Sequence, residues 1–201
     1  ATLQPMAHTE IVYYYKPGRS LQILSESSHV ATYRTLHEQL NKITLGLRVV
    51  ELTDALLGEE SRQPAIFSLL VQVLHRLDAE DTRPQTLWPF FQLRLAAALG
   101  IAPAIHRERV EAIREEGWLS LTDGGVYPID DRPSAARKAP REALRAYAVL
   151  ARADIDTVLR MRMTPTLRNA VQDLVDAYLR YHFEDSIPDR CRRVLAQLKQ
   201  T

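Results

Sequence analysis

The sequence predicts an α+β fold, a mostly α-helical C-terminal domain behind a short N-terminal β element. Three observations lead there. Two β-prone runs flank a Pro-Gly turn near the start, and apolar residues then recur at helical spacing along most of the chain. An Asp-Gly-Gly turn between two further β-prone runs interrupts the helices.

The first β-prone runs are Ile11-Val12-Tyr13-Tyr14-Tyr15 and Leu21-Gln22-Ile23-Leu24, on either side of Lys16-Pro17-Gly18-Arg19. Proline presets φ at the second position of a type II turn, and glycine accepts the positive φ needed at the third. With Pro17 and Gly18 as the two loop residues, Lys16 stands opposite Arg19, Tyr14 opposite Leu21 and Val12 opposite Ile23. One face then carries Val12, Tyr14, Leu21 and Ile23 toward a core, and the other carries Tyr13, Tyr15, Ser20 and Gln22. An isolated hairpin is marginal in water, and the first residue is Ala1 rather than methionine. The expectation is that residues 1–27 are the last part of a β domain whose earlier strands are absent from this chain.

From about Ser28 the helical pattern takes over, giving a domain over 28–201 with a β-hairpin insert near 118–129. Leu36, Leu40, Ile43, Leu47 and Val50 form one 3.6-residue stripe, and Leu45, Val49, Leu52 and Leu56 a second. Two stripes predict a central helix buried on two sides and ending at Gly58. Pro64 opens the next helix, with Ile66, Leu70, Val73 and Leu77 on one line and Phe67, Val71 and Leu74 on another. A third runs through Phe91, Leu95 and Ala98 to a stop at Gly100, and a fourth spans roughly Pro103 to Glu116. Trp118-Leu119-Ser120-Leu121 and Val126-Tyr127-Pro128-Ile129 flank Asp123-Gly124-Gly125 as the second hairpin. The stretch from Asp130 to Pro140 reads as a linker or exposed loop. Beyond it come a helix with Leu144, Tyr147 and Leu150, a short one capped by Asp154, and a long one opened by Thr164 and Pro165. That long helix carries Leu167, Val171, Leu174 and Tyr178. Pro188 opens the last, with Cys191, Val194, Leu195 and Leu198.

Composition excludes more than it assigns. The chain is 46% hydrophobic and 25% charged, as in ordinary globular domains. No apolar run is long enough to cross a membrane, and no secretory leader is evident. The single cysteine, Cys191, excludes an internal disulfide framework and fits a reducing cytosol. Net charge is only +1, but it is unevenly spread. Carboxylates outnumber cations two to one between Val49 and Asp131, whereas cations dominate before and after. Separate electrostatic surfaces follow, one of which could meet phosphates; uneven solvated helix faces are the plainer alternative.

Catalytic signatures are missing. There is no phosphate loop, dinucleotide fingerprint or Gly-x-Ser-x-Gly elbow. The six histidines never fall in His-x-x-His or His-Glu-x-x-His spacing. Glu115-Glu116 and Asp130-Asp131 sit in polar contexts that give no reason for a raised pKa. Cys191, beside Arg192 and Arg193, reads as a buried, inert thiol. The first hairpin is more informative. Tyr13 and Tyr15 project from one face beside Lys16 and Arg19, and aromatic faces stack bases without reading sequence while cations hold phosphates. The competing reading is that these tyrosines cover the helical domain.

The order of motifs then matters. Leu3-Gln4-Pro5-Met6-Ala7-His8 followed by Tyr13 to Leu24 resembles the latter half of the N-terminal OB barrel of the RecO family. Val50-Glu51-Leu52-Thr53-Asp54-Ala55-Leu56-Leu57, Ile66-Phe67-Ser68-Leu69-Leu70 and Phe90-Phe91-Gln92-Leu93-Arg94-Leu95 resemble later landmarks of that family. Leu99-Gly100-Ile101-Ala102-Pro103 and the Asp123-Gly124-Gly125 hairpin follow in the same order. The resemblance implies a DNA-repair mediator without catalysis or cofactor, in the bacterial cytoplasm at the nucleoid. It would bind single- and double-stranded DNA, anneal complementary strands and assist recombinase loading. The implied partners are RecR and the acidic, apolar C-terminal tail of single-stranded-DNA-binding protein. One departure is clear. Many family members hold zinc with four cysteines, one pair after the Leu-Gly-x-x-Pro segment and one after the Gly-Gly turn. Here those places hold His106-Arg107-Glu108-Arg109 and Val126-Tyr127-Pro128-Ile129. The expectation is no structural zinc, with Trp118, Leu119, Leu121, Val126 and Tyr127 packing the hairpin instead.

On this reading Lys16 and Arg19 contact phosphate, Tyr13 and Tyr15 stack or line the strand path, and Arg34 and Arg48 extend the cationic track. The tail arginines would meet a second strand. The alternative is a helical adaptor without major DNA contact. Its groove beside Phe90, Phe91, Arg94 and Leu95 would capture the acidic tail, with Arg94 meeting a carboxylate; core aromatics with a snorkelling Arg94 are the plainer reading.

Overall fold

The structure, a computed structural model, describes residues 3–57, 62–79 and 84–183. Strands β1 (His8–Tyr14) and β2 (Ile23–Ala31) form a two-stranded antiparallel ribbon. Tyr14 pairs with Ile23, Ile11 with Ser27 and His8 with Ala31, with register shifts after His8 and after Val12. The two-residue loop is therefore corrected: Tyr14 faces Ile23, not Leu21, and residues 15–22 make the connection. The helical pattern expected from Ser28 is also corrected, because Ser27 to Ala31 continue the ladder opposite His8 to Ile11. Serine-rich sequence carries little apolar periodicity, so backbone pairing across the ribbon decides this stretch.

The expected core face of the ribbon is not buried. Val12, Tyr14, Leu21 and Ile23 are all exposed, Tyr14 by 70% and Leu21 by 83%. At its base the ribbon meets the helices, where the His8 ring stands edge-on to Phe67 at 5.6 Å. Met6, just before the strand, lies in the hydrophobic core.

Helices α1 (Arg34–Glu38), α2 (Leu40–Leu56) and α3 (Pro64–Ala79) follow. Of the two stripes on α2, Leu45, Val49 and Leu52 are core, while Leu40 is 78% exposed. Leu36 just before it is fully buried, and Ile43, Leu47 and Val50 are half-buried against the same core, so both stripes pack and Leu40 alone stands out. The Lys42 side chain of α2 is fully buried and donates to the Asp78 carbonyl at 2.9 Å, at the C-terminal end of α3. The Asp78 carboxylate in turn accepts the Leu36 N–H at 2.7 Å, so Asp78 joins three helices. The expected stop at Gly58 lies outside the described residues.

A 3-10 turn over Pro84–Thr86 leads into α4 (Leu87–Ala98), the central helix. Leu87, Trp88, Phe90, Phe91, Leu93 and Leu95 are buried on every side of it, as expected of a helix apolar all round. It ends where the sequence indicates. Gly100, at φ +90°, donates to the Ala97 carbonyl at 3.1 Å, and Ile101 donates to Ala96 at 2.9 Å. That pair of bonds is the Schellman closure, which glycine permits at no steric cost.

Helix α5 covers only Arg107–Ala112, shorter than the expected Pro103 to Glu116. Strands β3 (Glu116–Ser120), β4 (Val126–Pro128) and β5 (Ala136–Pro140) form an antiparallel sheet with β3 in the middle. The third strand corrects the reading of 130–140 as a linker. Arg137 and Lys138 pair with Leu119 and Trp118, completing the hydrogen bonds of an edge that β4 cannot reach. Helices α6 (Arg141–Arg152), α7 (Ile155–Arg160) and α8 (Pro165–Phe183) complete the described chain. Asp154 accepts the Thr157 N–H at 2.8 Å and Thr164 that of Leu167 at 3.2 Å, so both read caps form. The predicted helix from Pro188, with Cys191 and the arginines beside it, lies outside the described residues. None of the described helices is long and apolar enough to cross a membrane.

Candidate nucleic-acid interface

The tip of the β1–β2 ribbon is built as the sequence suggests, but held by a residue the sequence did not single out. Arg19 N–H donates to the Lys16 carbonyl at 3.3 Å, and Gly18 has φ +79°, the geometry of a type II turn. Gln22 then clasps the loop. Its Oε1 accepts the Lys16 N–H at 2.8 Å, while its Nε2 donates to the carbonyls of Arg19 at 2.9 Å and Lys16 at 3.2 Å. Glutamine supplies both an acceptor and a donor on one planar group, which lets a single side chain tie both ends of the turn. The four-residue turn signal was legible, whereas this cross-loop clasp depends on a separation of three to six residues that no turn motif encodes.

Tyr13, Tyr15, Lys16 and Arg19 are all exposed on this ribbon, with Tyr13 at 49% and Tyr15 at 61%. Tyr14, Leu21 and Ile23 add further uncovered apolar surface beside them. Exposed rings and cations a few residues apart on one ribbon can stack bases and neutralise phosphates together. Arg34 and Arg48 are placed elsewhere. Arg34 is exposed at the first position of α1, and Arg48 lies on α2 in a cleft shared with α8. The hairpin residues do not line that cleft.

The expected peptide groove beside Phe90, Phe91, Arg94 and Leu95 is corrected. Phe91 and Leu95 are wholly buried and Phe90 nearly so, because a helix packed on all sides leaves no apolar face for a ligand. Arg94 is half-buried, lies 5.4 Å from the Phe90 ring centre and donates to the Ala153 carbonyl. It ties α4 to the C-terminal end of α6.

Residues 37–190 match the family model described as "Recombination protein O C terminal". The chain is also 57% identical over 200 residues to the DNA repair protein RecO of Salinibacter ruber, covering 99% of this chain and 77% of that relative. The chain belongs to the RecO family. The DNA repair protein RecO of Symbiobacterium thermophilum is 30% identical over 169 residues, covering 81% of this chain and 67% of that protein.

The zinc site of many RecO proteins does not fit the donors found here. Val126 is buried and Pro128 has no donor atom, leaving His106 without thiolate company. Among the described residues there is no cluster of three or more metal-binding side chains. A polar chain links the same two segments. The Arg109 guanidinium lies 4.3 Å from the Tyr127 ring centre, and the Tyr127 hydroxyl donates to Asp123 at 2.7 Å. Burial alone would push the Asp123 carboxyl up. Hydrogen bonds from Ser120, Tyr127 and the Gly125 N–H, with the Arg109 charge, outweigh it and hold Asp123 below its ordinary range. Leu119 and Val126 pack beneath, and the Trp118 indole N–H reaches the Ile129 carbonyl at 2.9 Å.

Proposed function

We propose that this RecO-family chain is a DNA-repair mediator that grips polynucleotide and makes or breaks no bond. It binds single- and double-stranded DNA, anneals complementary strands and assists recombinase loading, with RecR as a partner, in the bacterial cytoplasm at the nucleoid. The observation that supports this reading is the exposed, clasped tip of the β1–β2 ribbon; in the proposal Lys16 and Arg19 take phosphate and Tyr13 and Tyr15 take stacked bases. Arg34 and Arg48, placed apart from the tip, add separate cationic contacts on the helices. Phosphate contacts release counterions, so affinity falls steeply with salt. The Lys16→Ala, Arg19→Ala double variant binds all sequences more weakly. Its log-log salt slope on single strands is shallower by about 1.4, or about 0.7 per lost contact. An unchanged slope removes both residues from the site.

A second reading, capture of the acidic apolar tail of single-stranded-DNA-binding protein, is favoured by a groove between α5 and α6. It is about 520 Å³. Ile105, Val110 and Val149 give it an apolar lining, Arg145 and Arg152 also line it, and its Arg107 is paired with Glu111 at 2.7 Å. Apolar side chains of a tail would seat in it while carboxylates meet the arginines. A labelled tail peptide loses affinity for Val149→Glu, whereas oligonucleotide binding is unaffected. Loss of both together argues against separate sites.

A further inference from the structure

Annealing needs two strands brought together, and the ribbon tip offers one grip. The cleft that contains Arg48 has the features of another. It lies between α2, the 3-10 turn, α4 and α8, and is about 650 Å³, within the range of sites that enclose a small-molecule-sized group. Arg48 on α2 and Arg168 on α8 both line it, with amide side chains from Asn41, Gln85 and Asn169 between them. Among the described residues that line it, none carries a carboxylate.

The floor is rigid. The Gln172 amide nitrogen donates to Gln92 Oε1 at 2.7 Å and to Asp176 Oδ1 at 2.8 Å, and Gln92 is buried. Trp88, 5% exposed, stacks on Phe91 at 6.4 Å between ring centres. At the rim, Leu40 is 78% exposed. Guanidinium groups pair bidentately with phosphate oxygens, and amide NH2 groups donate either to phosphate or to base edges. These amide donors, which the α5–α6 groove lacks, suit the oxygens and edges of a nucleotide as well as its phosphate.

The geometry points to this cleft as a second polynucleotide site, in which Arg48 and Arg168 hold the phosphodiester of a single strand and Leu40 supports the adjoining sugar or base. The inference rests on the proposed binding of DNA by this chain and assigns the annealing partner strand its own grip. The ribbon tip and the cleft share no residue, so either can be disabled alone.

The test uses the full chain, a short fluorescein-labelled oligothymidylate for binding and a complementary oligonucleotide pair for annealing. The Arg48→Ala, Arg168→Ala variant loses about tenfold in single-strand affinity at low salt, and its salt slope becomes shallower by about 1.4. It anneals slowly even at concentrations that restore binding. Asn169→Asp, on an exposed residue, replaces an amide donor of the cleft by a carboxylate, and weakens oligothymidylate binding with thermal unfolding unchanged. Arg168→Ala and Asn169→Asp decide the matter if Arg48→Ala perturbs folding. Wild-type protein that binds oligothymidylate while all three variants match it in affinity, slope and annealing overturns the cleft alone. Wild-type protein that binds no oligonucleotide even at low salt overturns the proposed function and the cleft with it. An acidic apolar peptide whose affinity falls in Arg168→Ala, with oligothymidylate unaffected, also overturns the inference.

Discussion

The two hairpins of this chain begin from similar local chemistry and end in opposite situations. Each turns through a glycine with positive φ, Gly18 at +79° and Gly124 at +66°. Each is flanked by β-branched and aromatic residues. The ribbon of β1 and β2 leaves Ile11, Val12, Tyr13, Tyr14 and Ile23 exposed, and its tip is held from within by Gln22. The β3–β4 hairpin is held from outside. Leu119 and Val126 are fully buried, and a Cβ placed on Gly124 would fall 2.8 Å from the Tyr178 ring. A shared turn motif therefore says nothing about role. What decides it is whether the side chains are already committed to other parts of the protein.

That distinction has a large measurable consequence. Leu119→Ala lowers the free energy of unfolding by about 2–5 kcal/mol, the usual cost of a buried Leu-to-Ala cavity. Leu21→Ala, on the exposed tip, changes it by less than about 0.5 kcal/mol. Urea denaturation of both variants measures the contrast, and equal losses would erase the distinction between the hairpins. Next in size is Tyr15→Ala, which weakens single-strand binding by about 1–3 kcal/mol if the ring stacks one base. Its stability stays at the wild-type value. Fluorescence anisotropy at fixed salt, beside a melting curve, checks both halves.

A smaller effect separates the hairpins by pH. Because the folded-state pKa of Asp123 lies below its ordinary value, the carboxylate contributes stability above its unfolded pKa, and that contribution is lost as pH falls through the folded value. Asp123→Asn costs about 1 kcal/mol at neutral pH, the scale of a net hydrogen bond. The deficit relative to wild type shrinks on acidification. A deficit that stays constant with pH assigns the effect to packing instead of charge.

Legibility followed the range of the interactions. The stop at Gly100 and the caps at Asp154 and Thr164 are decided within one helical turn, and all three were readable. Strand β5 was not, because Ala136-Arg137-Lys138-Ala139-Pro140 has little β propensity of its own and forms by pairing along β3. The first hairpin yielded its turn but not its register, since the Gln22 clasp makes a longer connection stable. Helix α4 carries a signal that argues against the expected groove. Its apolar residues occupy every face of the helical projection, which argues for burial and against a peptide groove at Phe90, Phe91 and Leu95. The cleft was half legible. Arg48 stood out as a cation near the expected track, but Arg168 comes from a helix far away in sequence, and only folding places it on the same cleft.

The finest test concerns the clasp itself. The tip of the first hairpin is exposed, so the three Gln22 hydrogen bonds compete with water, and Gln22→Ala costs at most about 1 kcal/mol of stability. Its effect on binding has a different origin. Without the clasp, the backbone of the turn that carries Lys16 and Arg19 must be ordered when the strand arrives, and fixing the backbone of a residue costs about 1–2 kcal/mol. Single-strand affinity therefore falls severalfold while the salt slope stays at the wild-type value, because no phosphate contact is removed. The Lys16→Ala, Arg19→Ala variant changes that slope, which makes the pair diagnostic. A Gln22→Ala protein with wild-type affinity would mean that the tip is equally competent without its clasp, and that exposure alone suits the first hairpin to binding.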